Sequence, residues 1–284
     1  MAIKTFIAIF QEVFCKHCFE RVPEPKAIMS EAENVYEFDA EGNPDGAMAA
    51  SHLFVISQVS RTISGCKHVL DLGCGSGQLL CQIAEMNPEI RFTGVDLSEE
   101  MLKKAKSRAK SMNLSNIEFI KQDFTELQGL EDKQLDGIMC VYALHHLNDL
   151  QALRNFFRQI NRFVKQDKPV FIYDFCRLRS EKSIDFFVDL VGGKHPLFCE
   201  DLRNSLKAAF SLDEFKLLLG EELHRKVDIY TTRALHFNLM IKTEERSISS
   251  EKLEKIKQKL SLLSPKNQMS YTNNLCKKFY KLDT

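Results

Sequence analysis

The sequence predicts an α/β fold, a doubly wound and mostly parallel sheet with helices on both faces. Three observations carry this reading. From residue 67 onward, short apolar runs alternate with amphipathic stretches of helical period. The runs are apolar almost throughout, as strands covered on both faces must be. The first run, "HVLDL", passes into the glycine-rich turn "GCGSG" before a helical pattern begins. Open α/β sheets bind ligands at such a turn, outside the strand's carboxyl end.

Composition sets the frame. The chain has 284 residues, 44% hydrophobic and 27% charged, enough for one large α/β domain with appendages or for two small domains. A formal net charge of +0 argues against a dedicated nucleic-acid binder. Nine cysteines, an odd number, include Cys74, Cys81, Cys140 and Cys176 in or beside core-like segments. That usage suits a reducing, cytoplasmic setting with thiols packed as small hydrophobes. "CKHC" (Cys15, Cys18) is a single CxxC with no second pair. Two reduced thiols on a helix is its plainer reading, and no metal site is predicted.

The elements follow in order. Ile3, Phe6, Ile7, Phe10, Val13 and Phe14 share one face at helical spacing. Gln11 and Glu12 interrupt the apolar run, so it reads as an amphipathic helix rather than a signal peptide. No run is long enough to span a bilayer. Residues 21–46, rich in Pro, Glu, Asn and Gly, read as a linker or mobile cap, and 47–63 as a helix. Residues 1–63 are therefore set apart as a helical cap and linker.

Strands are predicted at 68–72, 91–97, 117–123, 135–141 and 169–175, with helices at 77–86, 98–112 and 147–164 between them. In the second helix Ser98 is placed to cap, Glu99 and Glu100 suit the dipole, and Met101, Ala105, Ala109 and Met112 form the buried face. In the third, Leu150, Leu153, Phe157 and Ile160 face inward. Residues 181–222 read as two or three short helices. "KVDIYTT" and "ALHFNLMIK" read as an antiparallel pair closing the sheet edge, and 246–284 as a helical tail. That tail carries eight lysines against three acidic residues, which reads as a solvated helical face before a nucleic-acid patch.

Two cofactor classes use a glycine turn after the first strand. The dinucleotide fingerprint GxGxxG needs a third glycine at 78, where this chain has Gln78. Asp71 precedes the first glycine by two positions, and a carboxylate there repels a pyrophosphate but suits an ammonium group. S-adenosylmethionine (SAM) carries an ammonium and a sulfonium. Asp96 ends the second strand, placed to accept from ribose hydroxyls. Met101 lies one turn further on, suited to an adenine face. Asp123 is placed to accept from an adenine amino group, and the Phe124 N–H to donate to a ring nitrogen. Each residue alone is ordinary, since a strand-terminal aspartate often only caps a turn. The set, in order and spacing, is specific.

"VLDLGCGSGQL", "GVDLSEEML", "IEFIKQDFTEL" and "LDGIMCVYALHHL" together resemble the class I, Rossmann-like SAM-dependent methyltransferases over about residues 66–175. The resemblance implies a methyltransferase domain over 64–245, with an acceptor pocket shaped by 181–222, and a seven-stranded sheet whose last strand is antiparallel. It implies that Asp71, Gly73 and Gly75 hold the methionine part of SAM, and that Asp96 and Leu97 lie at the ribose and its surroundings. Met101, Asp123 and Phe124 go to the adenine, and the Val141 carbonyl to the methionine amino group. It also implies an aromatic residue of the cap closing over SAM, with Tyr36 the candidate.

The sulfonium already makes the methyl electrophilic, so the protein mainly aligns an acceptor and excludes water. The [DNS]PP[YFW] motif of adenine amino methylases is absent after strand four, and so is any Pro-Cys dipeptide of pyrimidine C5 methylases. His145 and His146 are the nearest candidate bases; capping and packing under the pocket is their plainer role. Asp174 either orients a polar acceptor or caps the next helix. In the following segment Phe186, Phe187, Leu197 and Phe198 lie beside Arg177, Arg179 and His195, a mixed apolar and basic lining. The expectation is methyl transfer to oxygen or nitrogen of a small or medium organic acceptor, with no membrane partner. The rivals are an RNA or protein methyltransferase, a non-catalytic SAM-binding scaffold, and an NAD(P) oxidoreductase.

Overall fold

A computed structural model describes residues 10, 12, 14, 19–25, 40–191, 196–232 and 236–282. Tyr36, Cys15, Cys18 and His195 lie outside the described residues. Helix α1 (Ala49–Thr62) precedes β1 (His68–Leu72), α2 (Gln78–Met86), β2 (Arg91–Asp96), α3 (Glu99–Ser111) and β3 (Ile117–Lys121). Next come β4 (Gly137–Val141), a 3-10 turn (Leu144–His146), α4 (Leu150–Phe163) and β5 (Val170–Phe175). Three helices follow, α5 (Glu181–Val191), α6 (Pro196–Ala208) and α7 (Leu212–Glu222). The chain then forms β6 (Asp228–Thr232), β7 (Asn238–Lys242), α8 (Ser250–Leu262), α9 (Pro265–Met269) and β8 (Phe279–Lys281).

The strands form one sheet in the order β3-β2-β1-β4-β5-β7-β6-β8. Strands β1 to β5 pair in parallel, with Asp71 opposite Gly94 on one side and Met139 on the other. The order reverses between β1 and β4, so a crevice opens there outside the carboxyl ends of both. β7 runs antiparallel to both β5 and β6.

Two expectations are corrected. The sheet has eight strands, not seven, because Phe279–Lys281 in the tail pairs antiparallel with Thr232–Tyr230. A strand of three residues is too short to show a period of two, so the tail read as all helix. For the same reason β6 is not the sheet edge: β7 inserts between it and β5, and β8 covers its outer side.

Alternation along the strands sends side chains to two cores. Leu70, Leu72, Ile138, Cys140 and Ile172 pack on one face against Leu153, Phe156, Phe157 and Ile160 of α4 and Phe215 and Leu218 of α7. Val69, Phe92, Met139, Phe171 and Tyr173 pack on the other against Val55, Ile56 and Val59 of α1, Ile83 of α2 and Ile256 of α8. Each such fully buried side chain contributes about 1.5–3 kcal/mol. The sequence set α1 apart with the cap; in the structure it is part of this main core. A third cluster stands over the end of β5, where Phe175 meets Leu178, Ile184 and Val188 of α5 and Phe198, Leu202 and Leu206 of α6.

Local signals place the helices that flank the crevice. Ser98 accepts from the Met101 N–H at 3.3 Å, Asp149 from the Ala152 N–H at 2.8 Å, and Ser211 and Glu214 form a reciprocal capping box. Met101, Ala105 and Ala109 are buried as expected, with Leu102 beside them, whereas Met112 is only half-buried.

Candidate active site

The loop after β1 is the centre of one half of the site. Its three glycines are needed for two different reasons. All have positive φ. A Cβ on Gly73 would stand 2.3 Å from the Ala143 Cβ, and one on Gly77 2.9 Å from the Ala105 Cβ. Those two glycines let the loop touch the protein itself. Only at Gly75 would a Cβ meet nothing within 4 Å, so Gly75 alone faces open space.

The loop's amides are largely used. Gly73 and Cys74 donate to the Val95 carbonyl at 2.8 and 3.0 Å, and Gly77 donates to that of Cys74 at 3.0 Å. Gly75 donates to Asp96 Oδ2 at 2.8 Å, while Asp96 Oδ1 accepts from the Ser98 N–H at 2.9 Å. This leaves few donors to cradle a phosphate. Gln78 has its own explanation: its side chain lies against Gly42, where a Cβ would approach its Nε2 to 2.3 Å. Residues 40–46 therefore rest on the start of α2.

Asp71 is 4% exposed. Burial, and then the nearby Asp96 carboxylate, push its carboxyl up to about 8, and no cation or hydrogen bond among the described residues offsets them. A buried acid without a partner fits a ligand that brings a positive charge. The surroundings fit the rest of SAM. Leu97 is 64% exposed at the end of β2, an apolar side chain without cover. Met101 is buried in α3. Phe124 lies beside the loop, 3.4 Å from the Cβ position of Gly73, and meets Phe156 edge-on at 5.9 Å. Val141 ends β4, half-buried, opposite Tyr173. Asp123 is exposed, and its Oδ1 accepts from the N–H and hydroxyl of Thr125 at 2.8 and 2.7 Å. Its carboxylate thus closes its own turn, the plainer of the two roles foreseen for it.

Tyr142 was not anticipated. It follows β4 directly and holds φ at 52°, a left-handed conformation that costs a non-glycine residue roughly 1–2 kcal/mol. Its N–H donates to the Tyr173 carbonyl at 2.8 Å, and its hydroxyl meets Ser51 Oγ at 2.8 Å. Such strain belongs to the backbone and leaves no mark in a one-letter sequence.

The other half of the site is a polar network at the ends of β4 and β5. Asp174, almost fully buried, accepts from the Leu144 N–H at 2.7 Å and meets His145 Nδ1 at 2.6 Å. It caps the turn after β4, not the next helix as foreseen. His145 is buried, its ring 4.1 Å from that of His146. Burial alone would lower its pKa; Asp174 and then Glu24 outweigh this and hold it above the ordinary value. Glu24 bonds His146 Nδ1 through Oε2, and its Oε1 accepts from Ser205 at 2.6 Å and lies 3.9 Å from His145 Nε2. Burial opposes its charge, but the bond from His146 and the two imidazoles pull it down to about 2. Asp201 nearby is pushed up to about 6 by burial and by Glu24.

Glu24 is the second unforeseen residue, sitting in the stretch read as linker. Arg21 ties that stretch down. It donates to the carbonyls of Ala208 at 2.6 Å, Asn148 at 2.7 Å and His145 at 3.1 Å, and stacks 4.0 Å over Phe210. Of the predicted lining, Phe187 stacks on Phe237 at 3.9 Å, Phe198 is buried, and Arg177 pairs with Glu214 at 3.1 Å. In the tail, Lys252, Lys255, Lys257, Lys259 and Lys281 each pair with a carboxylate. No helix among the described residues is long and apolar enough to cross a membrane.

Comparison with known proteins agrees with this geometry. A family model described as a methyltransferase domain matches residues 63–221, more than half of the chain. A tRNA (guanine-N(7)-)-methyltransferase of Rubrobacter xylanophilus is 48% identical over 61 residues, 22% of this chain and 27% of its own. A ubiquinone biosynthesis O-methyltransferase of Coxiella burnetii is 36% identical over 118 residues, 39% of this chain and 47% of its own. The chain thus spans less than half the length of the curated relatives it matches. Among solved structures, the plantazolicin methyltransferase BpumL in complex with SAH superposes with a TM-score of 0.56 at 19% identity, covering 93% of each chain. The likeness is one of fold, and it extends beyond the 66–175 core that the sequence motifs marked. The matched family, the switch-point crevice and the GxGxG loop agree, and the chain belongs to the class I SAM-dependent methyltransferase-domain family.

Proposed function

We propose that this protein transfers the methyl group of SAM to an oxygen or nitrogen of a small or medium organic acceptor. The observation that carries the proposal is Asp71, a buried carboxyl that no cation among the described residues offsets, beside a glycine whose Cβ position meets none of them. SAM supplies an electrophilic methyl on a sulfonium. Asp71 binds its ammonium, Gly75 admits it, and Asp96 and Leu97 hold the nucleoside. Asp96 is engaged by Gly75 and Ser98 in this structure, and it retains acceptor capacity on both oxygens for ribose hydroxyls. Phe124 and Met101 flank the adenine, and Val141 offers its carbonyl.

On the acceptor side, His146 is the proton acceptor, and Glu24 holds its ring through Nδ1. His145 is a positioning residue: Asp174 fixes its ring, and it packs against His146. Helices α5 and α6 shape the pocket and exclude water. The Coxiella relative, named for ubiquinone biosynthesis, supports a small acceptor at oxygen. An RNA acceptor is the second reading, favoured by the match to a tRNA methyltransferase. The paired tail lysines weigh against the tail as its docking site.

The test is calorimetric titration with SAM, S-adenosylhomocysteine and NADH in parallel, followed by an acceptor screen with phenols, amines and tRNA. Micromolar binding of the first two ligands and none of NADH supports the proposal. Absent SAM binding removes it, and methylation of tRNA alone moves the acceptor to the second reading.

A further inference from the structure

We infer that Glu24, His145 and His146 form a binding site for one divalent transition-metal ion of the zinc type. The three side chains offer two imidazole nitrogens and a carboxylate, and their ligating atoms all lie within 4.8 Å of one another. Imidazole with carboxylate is a donor set that suits zinc and its first-row neighbours, whereas magnesium and calcium take oxygen alone.

The tautomer of His145 is fixed by its neighbour. Its Nδ1 proton stays against Asp174 Oδ1 at 2.6 Å, so an ion that displaces the other ring proton binds the lone pair at Nε2. That lone pair faces Glu24 Oε1 across 3.9 Å. Two electron-rich atoms aimed at each other need a cation between them, either a proton or a metal ion. Two ligands of a tetrahedral zinc stand roughly 3.4 Å apart, given metal–ligand bonds of about 2.0–2.1 Å. The observed gap is about half an ångström wider than that, and Glu24 Oε2 bonds His146 Nδ1 directly, so an ion would take the place of the proton in that bond and draw the two ligands apart.

The outer shell is in place. Asp174 holds His145 through Nδ1, and Ser205 holds Glu24 Oε1 at 2.6 Å. Such partners orient metal ligands and raise their basicity. The His146 side chain is 30% exposed while those of His145 and Glu24 are 4% and 11% exposed. The cluster therefore has an entry from solvent and a buried floor. Three protein ligands leave a tetrahedral ion one open position. An ion there would bind the acceptor's heteroatom and make its proton easier to lose. That consequence rests on the acceptor being bound at this end of the crevice, and it replaces the proton-accepting role of His146, whose lone pair the ion would take; the site itself rests only on geometry.

The experiment is a zinc titration of the full chain, stripped with a chelator, against a chromophoric competitor at pH 7.5. It is repeated with Co2+ to read the ligands by absorption. The expected result is one ion per chain with a Kd below about 1 µM, and cobalt bands without a thiolate charge-transfer transition. Glu24→Gln and His146→Ala should each weaken binding by about 100-fold, and Asp174→Asn by about 10–100-fold. The double variant Cys15→Ser/Cys18→Ser should bind as the parent does. Each variant is checked for unchanged SAM affinity, so a fault in folding or in the cofactor reading is seen separately. Binding no tighter than about 10 µM overturns the inference. So does a thiolate signature lost with Cys15 and Cys18, or affinity indifferent to Glu24 and His146.

Discussion

The two halves of the crevice are built differently. The half beside β1 to β3 is made of backbone and of residues close to it in sequence: the 73–77 turn, Asp96, Leu97 and Phe124. Its one buried acid, Asp71, has no partner among the described residues. The half beside β4 and β5 is made of side chains that satisfy one another, drawn from residue 24, from 145–146, from 174 and from 205. The first half is incomplete in a way that a ligand of one particular charge completes. The second is nearly self-sufficient, so its ligand must compete with bonds already made. Cofactor binding is then expected to depend on single residues, and acceptor chemistry on a network.

The sharpest way to break this contrast is Asp71→Asn. The amide has the shape of the protonated acid, so the fold should hold, with thermal unfolding changed little. SAM should bind roughly 150- to 5,000-fold more weakly, because its ammonium loses a buried ionic partner worth about 3–5 kcal/mol. Unchanged affinity by calorimetry would remove the charge from the argument. Next in size is Asp174→Asn, which should lower methyl transfer by tens of fold while leaving SAM affinity within about twofold. It should also cost roughly 2–3 kcal/mol of stability, since it breaks a buried hydrogen-bonded pair. A fall in SAM affinity instead would mean the two halves are coupled.

A third test uses pH. With its pKa raised to about 8, Asp71 binds a proton in the free native state that an ordinary carboxyl would have lost near pH 4. Its contribution to stability therefore declines as pH rises from about 4 to about 8. Binding an ammonium requires the carboxylate and expels that proton. SAM affinity should then climb by up to about tenfold per unit from pH 6 to 8, and the slope should vanish in Asp71→Asn. A flat profile in the parent protein would contradict this. The smallest expected effect is Leu97→Ala. Its side chain is 64% exposed in the free protein, so unfolding should be unaffected. SAM should bind about tenfold more weakly, as about 1.5 kcal/mol of apolar burial is lost.

Legibility in the sequence follows the same divide. The strands and helices of 68–175 are read from local period and caps, and Ser98 and Asp149 cap as their positions foretell. Asp71 and Gly75 are singled out by a local pattern, an acid two positions before a glycine turn. Gly73 and Gly77 carry the same letter but answer to Ala143 and Ala105, which no local pattern reveals. Asp174 was seen as one of two things and is a third, since its partner Leu144 lies 30 residues away. Glu24 and Tyr142 were passed over. One is brought in by Arg21, and the other is distinguished only by a backbone angle.

The eighth strand has a consequence for how these molecules behave in company. A sheet edge with free N–H and C=O groups invites a strand from another chain. At one edge here β3 carries Glu118 and Lys121, charges that discourage such a visitor. At the other, the protein lays its own Phe279–Lys281 against Thr231, so that pairing capacity is spent within the molecule. Three residues of tail thus act as a stopper. Peeled away, they would leave β6 bare, a strand edge open to pairing with another chain.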